Sequence, residues 1–133
     1  ALAGSIGIQS SSIVVRGLAT GAIQTSDLFV RLTKELRVGF LNGFICAVLL
    51  VGMTWYLSGD LNMAVTNGGA LLIVVCFAAL VGSTIPIFMK RMNFDPALAT
   101  GPFITTANDI VGIAIYLSIT FNLNLFPAGI FPL

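Results

Sequence analysis

"VGFLNGFICAVLLVGMTWYL", residues 38–57, carries no charged side chain over a length that suits a helix crossing a bilayer. Trp55 and Tyr56 near its end stand where an aromatic anchor at the membrane–water boundary belongs. Working outward, residues 68–89, "GGALLIVVCFAALVGSTIPIFM", form another such stretch, followed at once by Lys90 and Arg91. Residues 96–121 form the last, interrupted only by Asp109. Residues 1–20 are uncharged until Arg16 but short and rich in Gly and Ser, and read as a truncated or protein-buried first helix. The predicted fold class is all-α, a polytopic transmembrane bundle of four helices (1–20, 38–57, 68–89 and 96–121) in a single domain over 1–133.

Composition supports a lipid environment. Of 133 residues, 57% are hydrophobic and only 8% charged, with a mean hydropathy of +1.04, too much apolar surface for a soluble core of this size to hide. A net charge of +1, no His and no basic tract leave nothing to neutralise a phosphate backbone, so no nucleic acid is expected as a partner. Cys46 and Cys76 each lie in an apolar run without other ligand-type residues at metal spacing, and read as small packing residues. No nucleophile–base pair, phosphate-cradling glycine loop or cofactor motif is present, so the chain is not read as an enzyme. The chain opens on Ala with no signal-peptide pattern and reads as a fragment beginning inside a longer protein.

All six Lys and Arg residues fall in two connections: Arg16, Arg31, Lys34 and Arg37 before 38–57, and Lys90 and Arg91 before the last span. The positive-inside rule puts 16–37 and 90–95 in the cytoplasm, and "SGDLNMAVTN" (58–67) and the tail "NLNLFPAGIFPL" (122–133) outside, for a multi-pass protein of the cell membrane. Residues 25–37 repeat apolar side chains at Leu28, Phe29, Leu32 and Leu36, with Asp27 and Arg31 spaced to pair. They read as an amphipathic helix at the interface, or equally as a solvated helical turn leading into the bilayer. "GLATG" (17–21) and "GFLNG" (39–43) have the glycine spacing of a close helix–helix seam, or arise by chance. Pro86 predicts a bend near the end of 68–89.

Asp95 before Pro96 suits a helix start, the carboxylate capping and the proline at the first helical position. Counted from there, Asp109 lies roughly 20 Å along the helix at 1.5 Å per residue. It shares one face with Gly101, Pro102, Thr105, Gly112, Tyr116 and Thr120, while Ile104, Val111, Ile115 and Ile119 form a greasy opposite side for lipid or neighbouring helices. An unpaired carboxylate at such depth costs at least about 2.5 to 3.5 kcal/mol. No Lys, Arg or His lies in 38–57, 68–89 or 96–121 to pair with it. A bound cation, a proton shared with a neighbouring helix, or a cation from another segment remain. The oxygen-rich surroundings, including the Asn108 amide, favour a hard ion. Mg²⁺, which keeps its waters, suits one carboxylate per chain doubled across a two-fold axis.

These blocks, "GSIGIQSSSIVVRGLATG", "KELRVGFLNG" and above all "DPALATGPFITTANDI", make the chain resemble the membrane domain of the MgtE family of magnesium channels and transporters. The resemblance implies a homodimer with an axial pore between the second and fifth helices of a five-helix domain, the helices here being the second to fifth. The family's first helix and its cytoplasmic regulatory domains would then be missing. It further implies that Asp109 holds a hydrated Mg²⁺ with backbone oxygen near Thr105 close by. Asp95 matches an aspartate on the cytoplasmic side with a part in ion admission or gating. Gly101, Thr106, Asn108, Gly112, Ser5 and Gln9 complete the residues expected along the pathway. Relatives commonly carry Asn where this chain has Ser5 and Ile8, and some carry Asn at Gly101. The leading expectation is channel-like Mg²⁺ conduction with divalent cations and the lipid bilayer as partners; the alternatives are a proton- or sodium-coupled transporter using Asp109, or a non-transporting assembly subunit.

Overall fold

A computed structural model describes residues 2–24, 26, 28–99 and 101–122. The described residues hold helices α1 (Leu2–Ala19), α2 (Leu28–Ser58), α3 (Leu61–Arg91) and α4 (Pro102–Asn122), with a 3-10 turn at Pro96–Ala99, and no strand. The all-α fold class read from the composition is the one observed. The tail after residue 122, and with it the expected outer terminus, lies outside the described residues.

α2 is one continuous helix of 31 residues where the sequence reading divides an interfacial helix (25–37) from a span (38–57). Nothing in "LRVGF" breaks a helix, so the amphipathic turns run straight into the apolar ones. A 31-residue helix reaches about 46 Å, against about 30 Å of hydrocarbon, so its charged first turns stand clear of the apolar layer. There Arg31 donates through Nη2 to Glu35 Oε1, an i,i+4 pair whose carboxylate is buried. Asp27, expected to pair with Arg31, lies outside the described residues.

α3 starts at Leu61, seven residues before the predicted start at 68. Asp60 is the reason: its Oδ1 accepts from the backbone N–H of Asn62 (2.8 Å) and Met63 (3.2 Å), capping a helix that pulls most of the expected outer loop into regular structure. Gly59, at φ +69°, makes the turn, so α2 and α3 form a hairpin with a two-residue link, Gly59 and Asp60. α3 carries Pro86 without ending and continues to Arg91, with the Ser83 and Thr84 hydroxyls both bonded to the Leu80 carbonyl.

The expected last helix (96–121) is two pieces. Gly101 sits at φ +75° and Pro102 begins α4, because a residue before proline is driven out of the helical region and only glycine takes this left-handed alternative cheaply. Pro102 therefore occupies the first turn, where its missing N–H costs nothing, and breaks no bond to Leu98.

α3 is the central helix, packed against α2, α1 and α4. Ala3, Val74 and Ala78 form one small core with Ile115 against it, and Ile6, Val75 and Ala79 another with Leu71. The outer surface is the apolar one: Leu41, Leu49, Tyr56, Phe103 and Ile110 are all exposed, the inverse of a soluble protein. α2, α3 and residues 102–121 of α4 are each long and apolar enough to cross a membrane. Helix α1 buries Ala3, Gly4, Ile6, Gly7, Ser10, Ser11, Val14 and Gly17 along one side.

Candidate functional site

Because α4 begins at Pro102, Asp109 lies only about 10 Å along it. The helix buries Ile104, Asn108 and Gly112, exposes Phe103, Thr106, Ile110 and Ile113, and holds Asp109, half-buried, on the line between the two faces. Of the expected greasy side, Ile104 is fully buried and Ile115 packs on the Ala3, Val74 and Ala78 core, while Val111 and Ile119 are half-buried.

Glycine in α1 makes room for the polar groups of α4. A Cβ at Gly4 would stand 2.8 Å from Thr105 Cγ2 and 3.0 Å from Asp109 Oδ1, so the carboxylate lies directly against the α1 backbone. One turn on, a Cβ at Gly7 would collide with Asn108 Nδ2 and come within 3.0 Å of Ile104. Gly7 is also where α3 arrives, since a Cβ at Gly82 would stand 2.9 Å from Gly7 Cα. Three helices therefore meet at a point with no side-chain spacer. Asn108, 2% exposed, is driven into this junction, and neither its Oδ1 nor its Nδ2 has a hydrogen-bond partner among the described residues.

A groove of about 540 Å³ opens beside the junction. Its lining includes Asp109, Asn108, Gly112 and Tyr116 from α4, Asn67 and Val74 from α3, and Leu2 and Ala3 from α1. Tyr116 Oη donates to Asn67 Oδ1 at 2.8 Å, closing one side. Asn67, itself buried, escaped the sequence reading because it fell in the expected outer loop; the capping signal at Asp60 would have placed it inside a helix. Gly4, Gly7 and Gly82 also escaped it, since glycine is common in membrane helices and its spacing does not name the neighbour.

The structure thus gathers Asp109, Asn108 and Gly112 around one groove, with Thr105 against the same glycine as the carboxylate. The Thr105 hydroxyl donates to the Gly101 carbonyl (3.1 Å), which its backbone N–H also reaches (3.2 Å). Thr106 is exposed on the outer face beside Phe103 and Ile110 and does not line the groove, and neither does Gly101. Ser5 and Gln9 are exposed on α1, in a stripe with Ser12. Asp95 belongs elsewhere: its carboxylate accepts from Ala97 N–H (2.9 Å), capping the 3-10 turn, and it borders a separate cavity of about 340 Å³ with Lys90 and Asn93. Among the described residues no three His, Cys, Asp or Glu side chains cluster.

Of the glycine pairs, "GFLNG" is a true seam: Gly39 meets Ala79, and Gly43 meets Leu72 and Val75 of α3. "GLATG" is not; Gly17 receives Ile23 from its own connection, and Gly21, at φ +75°, has open space around it. Cys46 and Cys76 are both free thiols, half-buried in α2 and α3.

Long apolar helices, an apolar outer surface and a carboxylate let into a helix seam define a multi-pass membrane protein. Its residues 1–119 match the MgtE family, described as divalent cation transporters. The chain is 37% identical over 116 residues to a magnesium transporter MgtE of Thermus thermophilus, covering 87% of this chain and 26% of that protein. Proteins of the same name from Enterococcus faecalis (33% identical, 88% of this chain, 26% of theirs) and Bacillus subtilis (30%, 89% and 26%) match similarly. The chain belongs to the MgtE family of divalent cation transporters. It spans about a quarter (26%) of the length of these relatives.

Proposed function

We propose that this chain is the ion-conducting membrane part of a homodimeric Mg²⁺ transporter, in which Asp109 of each protomer holds a hydrated Mg²⁺. The observation that carries the reading is the position of Asp109, the one carboxylate inside α4, at the edge of a groove of about 540 Å³ and on the border between packed and open surface. A second copy set against that border would bring two carboxylates to one axis. Mg²⁺ gives up its waters reluctantly, so it is best served by few carboxylates and many hydrogen-bond acceptors, and the absence of a larger acid cluster among the described residues fits that requirement. Ser5, Gln9 and Ser12 of α1 and Thr106 of α4 are exposed, and in this reading they supply polar groups to the pathway. The relatives named as magnesium transporters support Mg²⁺ as the cargo.

Conduction asks no covalent step of the protein. The ion offsets the cost of the buried carboxylate, and membrane potential drives it inward with about 4.6 kcal/mol per 100 mV for a divalent charge. The clustering of Lys90 and Arg91 with Arg16, Arg31, Lys34 and Arg37 at one end of the bundle supports a cytoplasmic location for that end. Asp95, which borders a cavity with Lys90 at that end, meets ions at the inner mouth in this reading.

The test is Mg²⁺ flux into liposomes carrying the protein. Asp109→Asn keeps the side-chain volume and removes the charge; flux is expected to fall to that of empty liposomes while crosslinking still traps a dimer. Undiminished flux overturns the site. Flux that requires a pH or Na⁺ gradient assigns the coupled mechanism instead.

A further inference from the structure

The groove around Asp109 is matched by another of about 570 Å³ at the charged end of the bundle, between the last turns of α1 and the first turns of α2. Its walls combine three cations, Arg16, Arg31 and Lys34, with the apolar Ile13, Ile23 and Val30. The Arg31–Glu35 pair engages one cation, while Arg16 and Lys34 are exposed and have no ion-pair partner among the described residues. Counting Glu35 and Asp27 against Arg16, Arg31, Lys34 and Arg37 still leaves segment 16–37 positive.

A mixed lining of this kind selects its occupant. A divalent cation is repelled, and a free anion would use the cations while leaving Ile13, 53% exposed, and Val30, 59% exposed, in contact with water. A phosphate group carrying hydrocarbon satisfies both halves. The hydrocarbon also has a path, because Lys34, Arg37, Leu41 and Val48 fall on one face of α2 and all are exposed, the two cations nearer the charged end and the apolar side chains below them. Basic pockets between helices at the membrane boundary bind anionic headgroups by this combination of charge and depth.

We infer that the α1–α2 groove holds the phosphate headgroup of an anionic phospholipid, with its acyl chains descending α2 along Leu41 and Val48. This site is independent of Asp109 and of the ion carried. Arg16 and Lys34 reach the phosphate; Arg31, held by Glu35, forms the back of the pocket.

Native mass spectrometry of the protein in detergent, with phosphatidylglycerol or phosphatidylcholine of identical acyl chains, tests it. Wild type is expected to retain phosphatidylglycerol about tenfold more than phosphatidylcholine. Arg16→Gln with Lys34→Gln, which spares the Arg31–Glu35 pair, should abolish that preference, whereas Lys90→Gln with Arg91→Gln, removing the same charge elsewhere, should preserve it. The charge-keeping exchange Arg16→Lys with Lys34→Arg should also preserve it, separating lost charge from lost fold. Equal retention of the two lipids by wild type, or equal loss in both charge-removed variants, overturns the site. Displacement of phosphatidylglycerol by inorganic phosphate at the same concentration assigns the groove to a soluble anion and overturns the lipid.

Discussion

The α2–α3 seam and the α1–α4 seam are built with the same device and used differently. In both, glycines on one helix let the other approach. Gly39 and Gly43 of α2 receive Ala79, Leu72 and Val75, so the gap is filled by hydrocarbon and the two helices lock. Gly4 and Gly7 of α1 receive Thr105, Asp109 and Asn108, so the same gap is filled by polar groups beside an open groove. Close backbone approach in lipid gains dispersion contact wherever it occurs. What it admits depends on the facing helix, and only α4 brings a carboxylate and an amide to that contact.

Several substitutions would break or sharpen this contrast. The largest stability loss is expected where three helices meet. Gly82→Ala drives a methyl into the Gly7 backbone, which cannot turn aside as a side chain can, and should cost about 3 kcal/mol or leave no folded protein, read by thermal melting in detergent. Asn108→Leu should do the opposite at the same junction, raising stability by about 1 to 2 kcal/mol because a buried amide with no partner among the described residues is replaced by hydrocarbon of similar size. Mg²⁺ flux measured in parallel is expected to fall, which marks the amide as kept for the groove rather than for the fold. Tyr116→Phe and Asn67→Ala each remove the bond across the groove and should cost about 1 kcal/mol, with the double variant losing less than the sum in a double-mutant cycle. At the hydrocarbon seam, Gly39→Ala sets a methyl 2.8 Å from the Ala79 Cβ, which is fixed to its backbone and cannot rotate away, and should cost at least about 1 kcal/mol. Gly52→Ala, with open space around it, should stay within about 0.5 kcal/mol of wild type.

Much of this was legible from residues alone where the signal was long or rare. Uninterrupted apolar runs at 38–57 and 68–89 announced α2 and α3, and an acid amid hydrocarbon singled out Asp109. The starts of helices were less legible, for a physical reason: polar residues such as Asn62 and Asn67 look like loop until the Asp60 cap is recognised, and Gly101–Pro102 looks like a kink until glycine takes the left-handed conformation. Thr106 and Asn108 show a further limit. One is exposed and the other fully packed, though both flank Asp109 closely, because their surroundings are set by α1 and α3 rather than by their own helix. Ser5 and Gln9 were named from the family resemblance alone, and neither is among the residues that line the groove.

The late start of α4 has an electrical consequence. Asp109 stands about one third of the way along the helix, so the two helix ends, and with them the mouths of the proposed pathway, are unequally distant from it. If the voltage falls evenly along α4, an ion reaching the carboxylate from the Pro102 end crosses about one third of the drop, and one arriving from the other end about two thirds. Block by an impermeant divalent ion should therefore steepen with voltage about twice as strongly from the far side, giving rectification from geometry alone.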